Sequence, residues 1–283
     1  MRFVPTALVL VSLLNLGWVG TNPKPLQQSF SKLSPKEGGK FLDLSNGERK
    51  ELVWMAKAAS SAYDDEQKPL GYRSISHEEW RQVAQDCPNI HYTQDGLFTV
   101  GASGLRGRIM INMMNEGRII LALSGCDAGK GFSEGLKDIG AVLTQNLWEP
   151  RQYEESLRLM KGVIARYHCK ELWIVGHSLG GSLTTYLALH LPDGRTNVKC
   201  ATFNGLTLAK KLCATGNQAL AERRLRNVYC RGDFAYNFIF GGRHFGPSYM
   251  LSTETDNMGI IERHSVDTMV RLMVRDRTAW QGL

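Results

Sequence analysis

The sequence has no metal signature, no nucleic-acid signature and no long hydrophobic run. Neither CxxC nor HExxH occurs and the seven histidines are dispersed, so no metal site is announced by local spacing. No RNP, zinc-finger or basic-helix pattern is present, and aromatic residues do not alternate with a basic run. The formal charge of +7 therefore favours anionic partners in general, with nothing that selects nucleic acid. Repeats and low-complexity tracts are also missing. With 43% hydrophobic and 22% charged residues the chain is neither a disordered nor a collagen-like polymer, and 283 residues suffice for one sizeable α/β domain.

The densest apolar stretch, ALVLVSLL at 7–14, follows a single positive residue, Arg2, and the next charge is Lys24. This pattern predicts a signal peptide over residues 1–20 and export through the secretory pathway. Pro5, Thr6, Ser12 and Asn15 interrupt the span, so a retained membrane anchor fits less well. Residues 21–46, with three prolines, read as a linker or cap without a core of its own, and 47–283 as one folded domain. Six cysteines, at 87, 126, 169, 200, 213 and 230, suit an exported chain. Cys200 and Cys230 each border a predicted strand and are the expected bridge.

From Glu48 to Tyr63, the apolar positions Leu52, Met55, Ala56, Ala59 and Tyr63 recur at three- and four-residue steps, predicting an amphipathic helix behind Ser45 or Asn46. Ser76 and Glu79 have capping-box spacing and open a second helix, whose apolar face begins at Trp80 and Val83. The period then shortens. Segments 97–102, 106–113 and 118–124 are predicted strands, the last two a hairpin turning at Asn115, Glu116 and Gly117. Helices are expected at 133–146 and 152–168, a buried strand at 172–175, a helix at 179–191 and a strand at 200–204. A helix at 215–224, strands at 226–231 and 248–252 and a helix at 265–274 complete the order. Such alternation predicts an α/β fold, a mostly parallel central sheet with helices on both faces.

GxSxG occurs twice, around Ser133 and around Ser178. Only Ser178 lies directly between a buried-strand run, LWIV, and a helix-compatible stretch, which is the strand, sharp turn, helix order of a nucleophile elbow. Ser133 reads as a loop or cap serine. A serine attacks poorly without a base, and the base needs an orienting acid; both are expected downstream. Asp233 follows the strand-like NVYCRG at the carboxyl edge of the sheet, where open α/β sheets build their sites, whereas Asp193 in LPDG is a turn residue. The base is His264 or His244. His264 leads the final amphipathic helix and is preferred, while His177 and His190 lie too close to the elbow's own helix to return to it. The oxyanion donors are the backbone N–H of Leu179 and that of Cys126, at the end of the strand RIILALS.

With these residues in view, the chain resembles the class 3 (fungal-type) lipase family of α/β-hydrolases over roughly residues 48–275. ALSGCD is similar to the family's Phe-Arg-Gly-Thr-Asp segment, IVGHSLGG to its elbow, TFNG to the following strand, RGDFAYN to its acid loop, GRHFGPSY to its His-x-Gly strand and RHSVDTMV to its histidine segment. The resemblance implies Ser178 as nucleophile, Asp233 as acid, His264 as base and Cys126 with Leu179 as oxyanion donors, and it assigns His244 a structural place. The chain departs from the family at Leu123-Ser124-Gly125-Cys126, and Phe234-Ala235 replaces the usual Pro-Val after the acid. Residues 127–149 stand where the family has its lid, and read either as a lid hinged at Gly129, Gly131 and Gly135 or as a core-packing helix.

The expected activity is serine ester hydrolysis of lipid-like substrates, of lipase or phospholipase type, through an acyl-enzyme and without cofactor or metal. The expected partners are a lipid or acyl-ester substrate and, transiently, an anionic membrane surface. Acyltransferase, thioesterase or peptidase chemistry on the same fold, and a catalytically silent lipid-binding protein, are the alternatives.

Overall fold

The computed structural model describes residues 37–63, 68–85, 89–93, 95–101, 103–125, 150–237, 243–251 and 258–275. The predicted signal segment, Ser133, the helix at 133–146, the 127–149 segment and Cys126 lie outside these residues.

Ten strands among the described residues form one sheet: β1 (Glu37–Lys40), β2 (Tyr72–Ser74), β3 (Ile90–Tyr92), β4 (Leu97–Val100), β5 (Leu105–Asn112), β6 (Asn115–Leu123), β7 (Glu171–His177), β8 (Asn197–Phe203), β9 (Leu225–Tyr229) and β10 (Ser248–Met250). Their order is β1-β10-β9-β8-β7-β6-β5-β4-β3, with β2 paired to β5. Pairs from β6 through β10 to β1 are parallel, and those among β2 to β6 antiparallel. The sheet is thus mixed but mainly parallel, with helices on both faces, an α/β-hydrolase fold.

The helices are α1 (Asn46–Ser60), α2 (His77–Ala84), α3 (Pro150–Tyr167), α4 (Leu179–His190), α5 (Lys210–Cys213), α6 (Gln218–Arg224), α7 (Phe234–Asn237), α8 (Ile260–His264) and α9 (Val266–Arg275). Strand alternation sorts the core into two layers. On one face Ile119, Leu121 and Leu123 of β6 and Leu172 and Ile174 of β7 pack with Trp80 of α2, Leu159 and Val163 of α3 and Leu183 and Leu187 of α4. On the other, Ile120 and Ala122 of β6 and Val175 of β7 pack with Leu52, Val53 and Ala56 of α1 and Met269 and Leu272 of α9. Capping boxes at Ser45/Glu48 and Ser76/Glu79 start α1 and α2 by satisfying N–H groups that no helical carbonyl reaches.

Several expectations shift. The stretch before α1 is not featureless: residues 37–40 add a parallel edge strand beside β10, and Phe41 is fully buried. That strand, EGGK, has no apolar residue and is held by backbone pairing, which composition does not reveal. The β5–β6 turn lies at Met113-Met114, where the Asn112 side chain accepts from the N–H groups of Met114 and Asn115, and Asn112 pairs with Asn115. Of the predicted turn residues, Asn115 belongs to that pair, and Glu116 and Gly117 sit in an irregularity between it and Ile111–Ile119. Finally, Cys200 and Cys230 form no bridge, and both are buried free thiols. Cys200 pairs with Leu225 at the start of β9, whereas Cys230 follows its end, about 17 Å further along, and their side chains join opposite core layers. A bridge needs Cα atoms within about 7 Å.

Among the described residues no helix is long and apolar enough to cross a membrane.

Candidate active site

The carboxyl edge of the parallel strands carries the site. β7 ends at His177 and α4 begins at Leu179, so Ser178 alone makes the turn, with φ 57° and ψ −122°. Positive φ is costly for a residue with a Cβ and persists only where the surroundings enforce it. Here they do. A Cβ on Gly176 would lie 2.1 Å from the Gly180 carbonyl oxygen, and one on Gly180 would lie 2.1 Å from that of Leu123, so strand and helix meet at backbone contact. The Ser178 N–H donates to the Phe203 carbonyl and its own carbonyl accepts from Leu206, fixing the turn against the end of β8.

Asp233 follows β9 through a tight turn in which its N–H donates to the Cys230 carbonyl. One carboxylate oxygen, Oδ1, accepts from the Tyr236 N–H at 2.8 Å and so holds the start of α7. The other, Oδ2, lies 2.8 Å from His264 Nδ1, and His264 Nε2 lies 2.9 Å from Ser178 Oγ. All three residues are buried: Ser178 is 7%, His264 4% and Asp233 1% exposed. Since the carboxylate only accepts, Nδ1 carries the imidazole proton and Nε2 is left to accept from the serine hydroxyl. The sequence-predicted Ser178, Asp233 and His264 are thus brought together in one hydrogen-bonded series. His264 does not open the final helix as its sequence position predicts: it ends the short helix α8, and Ser265 separates it from α9.

Leu179, the first residue of α4, has its N–H in the helix's first turn, where no intrahelical acceptor exists. The other expected donor, Cys126, lies outside the described residues, and the chain is followed there only to Gly125. His244 does not join the series. Its Nε2–H donates to the Tyr236 carbonyl at 3.0 Å, its ring stacks on Tyr236, and burial lowers its pKa to about 4. Asp193 pairs with Arg223 at 2.8 Å on the surface. Among the described residues no group of three or more His, Cys, Asp or Glu is arranged to hold a metal ion.

Three further residues support the site in roles that the sequence does not mark. Asn204, with φ 44° just past β8, donates from Nδ2 to the Arg263 carbonyl at 2.9 Å and to that of His264 at 3.3 Å, and accepts from the Cys230 N–H at 2.8 Å. One side chain thereby ties the segment bearing His264 to the turn bearing Asp233. His177 Nε2 reaches the His264 carbonyl at 2.6 Å, and Tyr63 bonds His177 Nδ1 at 2.9 Å. Asn204 lies in TFNG and His177 in the elbow motif, and their positions within those motifs were the available signal. In the sequence Tyr63 is only the last apolar position of the first helix, yet α1 ends at Ser60 and Tyr63 follows it.

A profile described as "Phospholipase-like: Tle-like phospholipase domain" matches residues 54–230. No curated protein sequence matches the chain. Among solved structures it is similar to lipase II from Rhizopus niveus (16% identity, 76% of this chain and 84% of that one, TM-score 0.48). It is also similar to a nonglycosylated lipase from Yarrowia lipolytica (12%, 74% and 81%, TM-score 0.49) and a triacylglycerol lipase from Penicillium expansum (16%, 74% and 80%, TM-score 0.44). The profile spans the strands and elbow that build the site and ends at Cys230, three residues before Asp233. Fold and family support a lipase- or esterase-type hydrolase of lipid substrates within the lipase/phospholipase-like α/β-hydrolases, and the chain belongs to the Tle-like phospholipase domain family.

Proposed function

We propose that the protein is a serine hydrolase of lipid esters, arranged like a divergent class 3 lipase, with Ser178 as nucleophile, His264 as general base and Asp233 as the acid that orients it. The observation that carries this reading is the unbroken series Ser178 Oγ, His264, Asp233, at 2.9 and 2.8 Å. In the first half-reaction Ser178 Oγ attacks the acyl carbonyl while Nε2 of His264 takes its proton. The carbonyl oxygen becomes an oxyanion, received by the N–H of Leu179 and, in this reading, that of Cys126. His264, now an imidazolium held by the Asp233 carboxylate, gives the proton to the leaving alcohol and an acyl-enzyme remains. Water then enters on the same face, loses its proton to His264 and attacks the acyl-enzyme ester; as the acyl–oxygen bond breaks, His264 gives that proton to Ser178 Oγ, releasing the fatty acid and free Ser178. No metal or organic group is required by any of these steps.

The basic balance of +7 supports transient contact with an anionic bilayer, and the apolar stretch at 7–14 behind Arg2 supports export with residues 1–20 removed. The test is fatty-acid release from mixed phospholipid and triglyceride vesicles by the parent chain and by Ser178→Ala, with products identified by mass. Release by the parent and its loss in the variant is the expected result, and the products then select phospholipid or glyceride. Equal release by both proteins overturns the role of Ser178, and tight lipid retention without turnover makes the chain a binding protein.

A further inference from the structure

Behind Ser178 and His264 runs a second chain of hydrogen bonds that the proposed reaction does not use. The Gly125 N–H donates to Tyr63 Oη at 2.6 Å, Tyr63 Oη lies 2.9 Å from His177 Nδ1, and His177 Nε2 lies 2.6 Å from the His264 carbonyl. One proton arrangement satisfies all three contacts. The His264 carbonyl can only accept, so His177 carries its proton on Nε2; neutral Nδ1 then accepts, and Tyr63 must donate to it. The phenol oxygen keeps its lone pairs for Gly125. His177 is 6% exposed and its ring packs edge-on against Tyr63, with centroids 5.7 Å apart. Burial, with His264 nearby, lowers its pKa to about 3, so His177 is neutral at pH 7.

The geometry at Gly125 shows what this chain holds still. A Cβ there would lie 2.9 Å from Ser178 Cβ, 3.1 Å from Tyr63 Oη and 3.2 Å from the His177 carbonyl oxygen. The backbone leaving β6 is therefore wedged between the Tyr63 hydroxyl and the elbow, in contact with the residue that carries the nucleophile. The Tyr63 hydroxyl joins the two walls of the reacting space, the Gly125 backbone on one side and the His264 segment on the other.

We propose that Tyr63 is a positioning residue: through its single hydroxyl it sets the backbone at Gly125 and, by way of His177, the backbone of His264 in one fixed frame around Ser178 Oγ. This inference rests on the hydrolase reading given above. It separates Tyr63 from a packing role, because the ring alone cannot transmit it.

The deciding variant is Tyr63→Phe, which removes one oxygen and keeps the ring. On a soluble short-chain ester, kcat falls roughly 10- to 100-fold while KM stays within about twofold, since misplacement is felt chiefly in the transition state. Affinity for an alkyl boronic acid, which forms a tetrahedral adduct on serine, falls by a similar factor. His177→Asn gives comparable losses, and the double variant loses no more than the larger single one, as expected of one coupled unit. Parent kcat and parent boronate affinity in Tyr63→Phe overturn the proposal, as do fully additive losses. A measurement on the unmodified protein stands independently of any variant's folding: the nitrogen-15 spectrum should show His177 as the Nε2–H tautomer, not titrating through the ordinary histidine range. An Nδ1–H tautomer overturns the network. Equal turnover by the parent and Ser178→Ala, or none by either, overturns the hydrolase reading and this proposal with it, and is thereby distinct from failure of the Tyr63 arm alone.

Discussion

Two clusters of buried polar side chains, one in the parallel and one in the antiparallel half of the sheet, are used differently. At the carboxyl edge of β7 to β9, Ser178, His264 and Asp233 are bonded in series, and Asn204 and His177 support the same backbone from behind. In the antiparallel half, Arg108 of β5 is fully buried, and its guanidinium closes on the end of β2 and on two turns: Nε on the Ser61 carbonyl at 2.8 Å, Nη1 on Ser74 Oγ at 3.1 Å and on the Asp95 carbonyl. Burial of a polar group is therefore no mark of chemistry by itself. What separates these two clusters is whether the hydrogen bonds lead to an atom able to react or only hold neighbouring chain in place, as buried Arg224 also does in the parallel half by donating to the Ala188 and Leu191 carbonyls.

The largest effect that would sharpen this contrast is expected at Asp233. Asp233→Asn keeps the shape but presents an amide that can donate to His264 Nδ1, favouring the wrong tautomer, and kcat should fall about 10⁴-fold with little change in thermal midpoint. A loss under tenfold would remove Asp233 from the series. Arg108→Met should do the converse. It strands the Ser61 and Asp95 carbonyls, costing about 3 kcal/mol by urea denaturation, while kcat per folded molecule is unchanged. A drop in kcat at full folding would show that the halves are coupled.

The last effect concerns acid and is spread over a range of pH. His177 and His244, both in the parallel half, have pKa values lowered to about 3 and about 4, chiefly by burial. The unfolded chain binds these protons near pH 6.5 and the folded chain does not, so the unfolded state gains protons first as pH falls. Stability is intact above about pH 6.5 and declines toward about pH 4, by up to about 1.4 kcal/mol per pH unit for each histidine. His244→Gln, which retains an N–H for the Tyr236 carbonyl, should make that decline shallower in denaturation curves taken across this range. An unchanged slope would mean that His244 is not held neutral.

The segment from β7 through Ser178 into α4 was legible because its signal is local: a run of large apolar residues, a forced turn and small residues where backbones touch. The alternation of later elements was legible for the same reason, and it gave the fold class. Less could be read where information is distributed. β2 and β3 are three residues each, too short for a period, and β1 has no side-chain pattern at all. The borders of β8 and β9 were visible, but their register was not, and register is what separates Cys200 from Cys230. Asp233 and His264 could be chosen by order along the chain. Tyr63 could not, since 114 residues separate it from His177 and its value lies in a hydroxyl at the end of an otherwise apolar helix face.

The pairing of β1 with β10 has a consequence for how the chain comes into being. Glu37 lies beside Ser248, so the earliest strand of the sheet finds its partner in the latest, across more than two hundred residues of intervening chain. Closure over such a loop is slow and must follow the local hairpin and helix pairings. While the chain is still emerging, that edge has nothing to pair with, and His264 follows later still. On the roles proposed above, a ribosome-bound chain that has passed Ser178 displays its nucleophile but no base, and gains activity only after His264 has also emerged and folded back onto the sheet edge.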